Sequence, residues 1–258
     1  LQPQCQLASD RCYVHNFPQP DQPRLLTLPR GQGPAFRRDM DRSIDFLAAR
    51  IPQFLEDEKF QRSRTRILER YGAQEKEMLA HFSELLQKEQ FALAELPTGT
   101  AVVAMVEGQP IPMEKLGDVI QSGKLETGRA KQLQERQEQL QQQFVGIFRK
   151  TLQLQRAMNM DLELLEKETA SVLVDSVIEE MKGKYPGEQI RDHLEEVRTS
   201  LLDTLEPFKG TKPEDEETET ARRLLKMPAD PFRQYRVNVV LGHGDGDGCP
   251  VIVETSPT

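Results

Sequence analysis

Apolar residues recur every three or four positions through most of this chain, with broad polar faces between them. Phe36, Met40, Ile44, Leu47, Ile51 and Phe54 fall on one helical face at that spacing. Pro52 interrupts the stretch and predicts a kink or break there. The pattern resumes with Ile67, Tyr71, Met78, Phe82 and Leu85, so one kinked helix or two abutting helices are expected over residues 36–90. A second, longer tract runs from Glu126 to Lys182. Its stripe is Leu133, Leu140, Phe144, Ile147, Leu154, Met158, Leu162, Leu165, Val172, Val177 and Met181, with Gly146 as the interior breaker. A shorter helix over 187–206 follows from Ile190, Leu194, Val197, Leu201 and Leu205, after the stop formed by Gly183 and Tyr185-Pro186-Gly187.

The period changes to two in three places. Arg11 to Phe17 is β-prone and predicts a short strand at 12–16, and Leu25 to Leu28 predicts a second one before the Gly31-Gln32-Gly33-Pro34 turn. Between the two long helical tracts, Phe91 to Leu96, the Pro97-Thr98-Gly99-Thr100 turn and Ala101 to Val106 read as strand, turn, strand, with a second turn at Glu107 to Pro110. A β-hairpin or meander at 91–112 is therefore expected, with a short helix from Met113 to Gln121. Near the end, Tyr235 to Leu241 and Pro250 to Glu254 read as strands around a Gly242 to Gly248 loop. Lys212 to Thr220 is acidic and reads as a solvated linker.

A helix of some 55 residues extends roughly 80 Å and must lay its stripe on something. The 36–90 tract, of similar length, is the natural partner. The expected fold class is mainly α (α+β): a long antiparallel helical coiled-coil arm with a small β-hairpin or meander at its tip, plus short strands at both termini. The rival arrangement is a compact bundle in which the long helix folds back at Gly146.

Composition agrees with long solvated helices: 37% apolar, 29% charged, no Trp, net charge −8. The apolar runs are too short to span a membrane. An acidic chain without a concentrated basic face is a poor nucleic-acid binder, so neither nucleic acid nor membrane is expected as a partner. Cys5, Cys12 and Cys249 are odd in number and form no CxxC pair, which favours a reducing, cytoplasmic compartment over a disulfide framework. The start at Leu1, with no initiator Met and no charged-then-apolar leader, reads as an excised or processed segment.

The search for chemistry is short. No GxxxxGK[ST] loop cradles phosphate. In His243-Gly-Asp245-Gly-Asp247-Gly, the twelfth position counted from Asp245 is Ser256, where a calcium loop needs Glu. Cys12 and His15 lie on opposite faces of the predicted strand, and no second pair completes a zinc site. His81 and His193 sit in helices without a nucleophile to activate. No catalytic, cofactor-binding or metal residue is assigned, and no cofactor is expected in this chain. The apolar β segment stands out instead. Phe91, Leu93, Leu96, Met105 and Val106, with Val103 and Met113, either pack on the helices or form an apolar tip that touches unfolded or partner protein. The first five are the candidate contacts.

Two terminal motifs narrow the reading. Asp10-Arg-Cys-Tyr-Val-His-Asn-Phe17 followed by Pro23-Arg-Leu-Leu-Thr-Leu-Pro-Arg-Gly-Gln-Gly33 resembles a segment of Lon-like proteases, whose AAA+ module carries a large helical insertion. Phe232-Arg-Gln-Tyr-Arg-Val-Asn-Val-Val-Leu241, with Cys249-Pro-Val-Ile-Val-Glu-Thr-Ser-Pro-Thr258, is similar to a later segment of the same family. The resemblance implies a Walker A loop before the first motif, and a Walker B strand and a Ser–Lys peptidase domain after the second. All three lie outside this chain.

It also implies a parent that is an ATP-dependent serine endopeptidase using ATP and Mg, assembled as a ring-shaped homo-oligomer and acting on unfolded proteins. Residues 1–35 and 231–258 would then be flanking AAA+ core strands, 36–90 and 125–230 the helical coiled-coil insertion, and 91–124 a small α/β tip. The expected function is a substrate-engaging or gating insertion. The alternative is a structural coiled-coil spacer or oligomerisation module with no direct substrate contact.

Overall fold

The protein is described from a computed structural model, which covers residues 9–96, 99–106, 108–111, 127–209 and 230–242. It is mainly helical, with long helices and two small antiparallel sheets of three strands each. In chain order the elements are β1 (Asp10–Val14), β2 (Arg24–Leu28), α1 (Gln32–Glu56), α2 (Glu58–Lys88), β3 (Phe91–Leu96), β4 (Gly99–Val106), β5 (Gln109–Ile111), α3 (Thr127–Lys184), α4 (Glu188–Asp203) and β6 (Asn238–Leu241). Short 3-10 turns lie at Glu206–Phe208 and Arg233–Tyr235. Two compact units result, one from Leu1–Gln61 with Leu164–Thr258, the other from Arg62–Glu163.

In the first unit the sheet order is β2-β1-β6. Alternation sends Cys12, Val14, Leu26 and Leu28 to the buried face and Arg11, Tyr13, Leu25 and Thr27 to the exposed one. The buried face joins one apolar cluster with Phe36, Met40, Ile44, Leu47 and Ile51 of α1, Ala170, Val174, Ile178 and Met181 of α3, and Leu194, Val197 and Leu201 of α4. Tyr235 and Val237, just before β6, complete it, although they lie far from β1 in sequence.

The second unit pairs α2 with α3 antiparallel. Glu89 meets Arg136, the rings of Phe82 and Phe144 stack at 6.0 Å, and Tyr71 donates to Asp161, so partners on α3 advance as those on α2 recede. β3, β4 and β5 form a continuous antiparallel meander, as the period-two pattern predicts. Phe82, Leu86, Phe91, Val102, Ala104 and Leu140 are its buried core.

Several expectations shift. The tract at 36–90 is two abutting helices, but the break is not at Pro52. α1 passes through Pro52 and ends at Glu56. Asp57 makes the break: its backbone is extended, and its side chain accepts from the Lys59 N–H at 3.0 Å, capping α2. Phe54 faces solvent and Leu55 takes the core position. Gly146 does not fold the long helix back, and α3 is one helix of 58 residues. Val172, expected in its stripe, is 66% exposed, while Ala170, Val174 and Ile178 carry the buried face. The strand expected from Tyr235 starts at Asn238, because Tyr235 belongs to a 3-10 turn that directs its hydroxyl to Ser200 Oγ (3.1 Å). The predicted helix at Met113 to Gln121, the acidic linker and the strand at Pro250 to Glu254 lie outside the described residues.

Candidate functional site

The first terminal motif has a structural job. Asp10 is fully buried in β1, and its Oδ2 accepts from the Gly33 N–H at 2.7 Å. Gly31, in the left-handed region at φ 79, precedes α1 and supplies no side-chain cap. Asp10 therefore caps α1 from another strand and meets the positive end of its dipole. A Cβ on Gly33 would lie 2.9 Å from Asp10 Cβ, so only glycine fits there. The second motif closes the same unit. Arg236 donates to Asp41 and Asp45 of α1 (3.2 and 2.8 Å) and to Asp230 (3.3 Å). Here the motif residues are architectural.

The titratable groups of this unit point the same way. Burial, then the charge of Asp10, pushes the Cys12 thiol up to about 11, which keeps it protonated and unreactive. His193 is 1% exposed, stacks on Phe17 at 6.1 Å, and is pushed down to about 4 by burial and by the nearby Arg24 and His15. Among the described residues no group of three or more His, Cys, Asp or Glu side chains converges as a metal ligand set. The His243 to Gly248 loop lies outside them. Among the described residues, too, no helix is long and apolar enough to cross a membrane.

The five candidate contacts separate once placed. Phe91 is 3% exposed in the core of the second unit, so it holds the sheet on the helices and presents no surface. Leu93 is 41% exposed on β3. Met105 and Val106 are half-buried near the end of β4. Leu96 ends β3, opposite Gly99, and its side chain lies outside the described residues.

Two glutamines of α3 bond to the backbone of the sheet. Gln141 Oε1 accepts from the Val102 N–H at 2.8 Å, and Gln137 Nε2 donates to the Val102 carbonyl at 2.5 Å. Val102 lies just beyond the reach of β5, which pairs only with Ala104, Met105 and Val106. The two amides stand in for a missing strand residue and satisfy a buried backbone pair. Their i,i+4 spacing was the available signal, since it puts both on one helix face. Nearby, Arg136 grips Glu89 through two parallel N–H bonds, and this hydrogen bonding holds the Glu89 carboxyl below its usual range.

A family model described as the Lon-like LonC helical domain matches residues 10–43. No curated protein matches the chain. The matched stretch runs from the Asp10 cap through β1, β2 and the first turns of α1. Over those residues the chain is similar to a helical domain of Lon-like proteins.

Proposed function

We propose that this chain is a substrate-engaging or gating region of a Lon-like serine protease that degrades proteins, and that the β3–β5 sheet contacts unfolded polypeptide. The observation that carries the reading is the LonC helical-domain match over residues 10–43, which coincides with the first of the two motifs. The exposed Leu93 and the half-buried Met105 and Val106 support the sheet as the contact. In this reading hydrolysis belongs to a Ser–Lys dyad elsewhere in the parent. ATP and Mg act there, the parent forms a ring of identical subunits, and the compartment is cytoplasmic.

The test is binding of an unfolded, fluorescently labelled polypeptide by the chain with Leu93, Met105 and Val106 all changed to Ser, alongside degradation by a parent carrying the same changes. Loss of both supports the reading, and unchanged binding with unchanged degradation overturns it. Running the degradation assay with and without ATP and Mg decides whether the parent needs nucleotide.

A structural role has its own observation. Val145, Phe148 and Leu152 form an exposed apolar stripe on α3 at three- and four-residue spacing. If the region acts as a spacer or oligomerisation module, sedimentation shows strong self-association that Phe148→Ser abolishes.

A further inference from the structure

The two edges of the β3-β4-β5 sheet are treated differently by this chain. The hydrogen-bond phase of the meander follows from Val102. Both its backbone groups go to Gln137 and Gln141, so they face away from β3. Its partner across the ladder, Leu93, is then in a non-hydrogen-bonded pair, and the Leu93 N–H and C=O face away from β4 as well. Phe91 and Glu95, two residues to either side, share that phase. The Met105 N–H confirms it by donating to the Gln90 carbonyl at 2.8 Å, as the alternate phase requires. Three alternate residues of β3, Phe91, Leu93 and Glu95, thus turn their amides and carbonyls to the outer edge, where no partner for them stands among the described residues.

The opposite edge is guarded. The same phase directs the ring nitrogen of Pro110 outward, since its neighbours Gln109 and Ile111 pair with Val106 and Ala104. A proline there removes the donor an added strand would need. β5 is only three residues long, and the two glutamines close what it leaves open. β3 has no proline, no lysine and no bulge, and its register with β4 is continuous over six residue pairs. Its outward row carries an exposed Leu93 and, two residues on, a single charge, Glu95.

We propose that the outer edge of β3 accepts an extended polypeptide segment as an added strand, with an apolar side chain beside Leu93 and a basic one two residues away beside Glu95. This rests on the reading of the sheet as a polypeptide-engaging surface and specifies how it engages. Backbone bonds supply sequence-tolerant affinity, which suits a surface meeting many unfolded chains, and the Leu93–Glu95 pair supplies a mild preference.

The test uses the full chain and a labelled decapeptide alternating threonine with leucine and lysine. Glu95→Pro deletes one outward N–H while leaving the β3–β4 ladder intact, and Glu95→Gln removes only the charge. The proposal expects Glu95→Pro to weaken binding roughly five- to tenfold and Glu95→Gln about twofold or less, in line with one lost hydrogen bond and one exposed charge pair. It also expects the Leu93 and Glu95 amides to exchange fast in the free chain and to gain protection when peptide binds.

Equal binding by Glu95→Pro and Glu95→Gln, with loss in the Leu93, Met105 and Val106 triple Ser variant, overturns the added strand but leaves the side-chain contact standing. No binding to the unaltered chain overturns both. Leu93 and Glu95 amides already protected in the free chain overturn the proposal by showing the edge filled, whether by residues 112–126 or by a second copy. Amide exchange needs no variant, so a misfolded Glu95→Pro does not rescue the idea.

Discussion

Gly33 and Asp10 show how a pair of residues far apart in sequence fixes the start of a helix. The carboxylate caps α1 only because nothing separates it from the Gly33 amide. Gly33→Ala places a methyl 2.9 Å from Asp10 Cβ, with both residues buried, so one backbone must shift. A loss of about 1–3 kcal/mol in urea denaturation is expected. His193 makes a second prediction at this scale. Its ring titrates near 6.5 when unfolded and near 4 when folded, because burial and the adjacent Arg24 and His15 oppose its charge. Between those values the unfolded chain binds more protons, so stability is full above pH 6.5 and falls as the pH drops toward 4. The loss amounts to about 3 kcal/mol. Thermal melts at pH 7 and pH 4.5 should show a drop that His193→Leu lacks, over and above the carboxylate background both chains share.

At the scale of elements, α3 is the surprise. Nine glutamines, three glycines and a mixed stripe of apolar residues sit in one unbroken helix of 58 residues. Gly146 is helical, and a Cβ there meets nothing within 4 Å. It weakens the helix without serving a close approach, in contrast to Gly33. Gly146→Ala should therefore raise stability by about 0.5–1 kcal/mol, measured by denaturant titration. A neutral or negative result would mark a partner lying over that turn. The α1–α2 break carries a similar lesson. Proline was the visible candidate, yet the capping capacity of Asp57 decided the position.

At the scale of the whole molecule, the chain's two ends build one sheet. β6 pairs with β1, and Tyr235 and Val237 fill the core beneath it. Ending the chain after Lys209 removes all three from the first unit and nothing from the second. Hydrogen exchange should then show β1 and β2 losing protection while the β3–β4 pairs keep theirs. The first unit should lose about 3–5 kcal/mol, the order expected for emptying a large buried aromatic site. Equal loss in both sheets would show that the two units unfold as one.

Much of this was written in the chain itself. Periodicity of three and four located α1 to α4, and periodicity of two located β1, β2 and the meander, because local sterics and one-sided burial act residue by residue. The first terminal motif suggested a likeness to Lon-like proteins, and the family match over residues 10–43 agrees with it for that stretch. Tertiary structure decided the rest. Phe91 and Leu93 share one face of β3, yet the first is core and the second is 41% exposed, because helix packing covers that face at one end of the strand and not two residues further on. Gln137 and Gln141 are polar helix positions in the sequence, and only the fold shows them bonded to the Val102 backbone. The outward phase of Leu93 and Glu95 on β3 has a similar origin: a strand's hydrogen-bond phase is set by its neighbours and cannot be read from the strand alone.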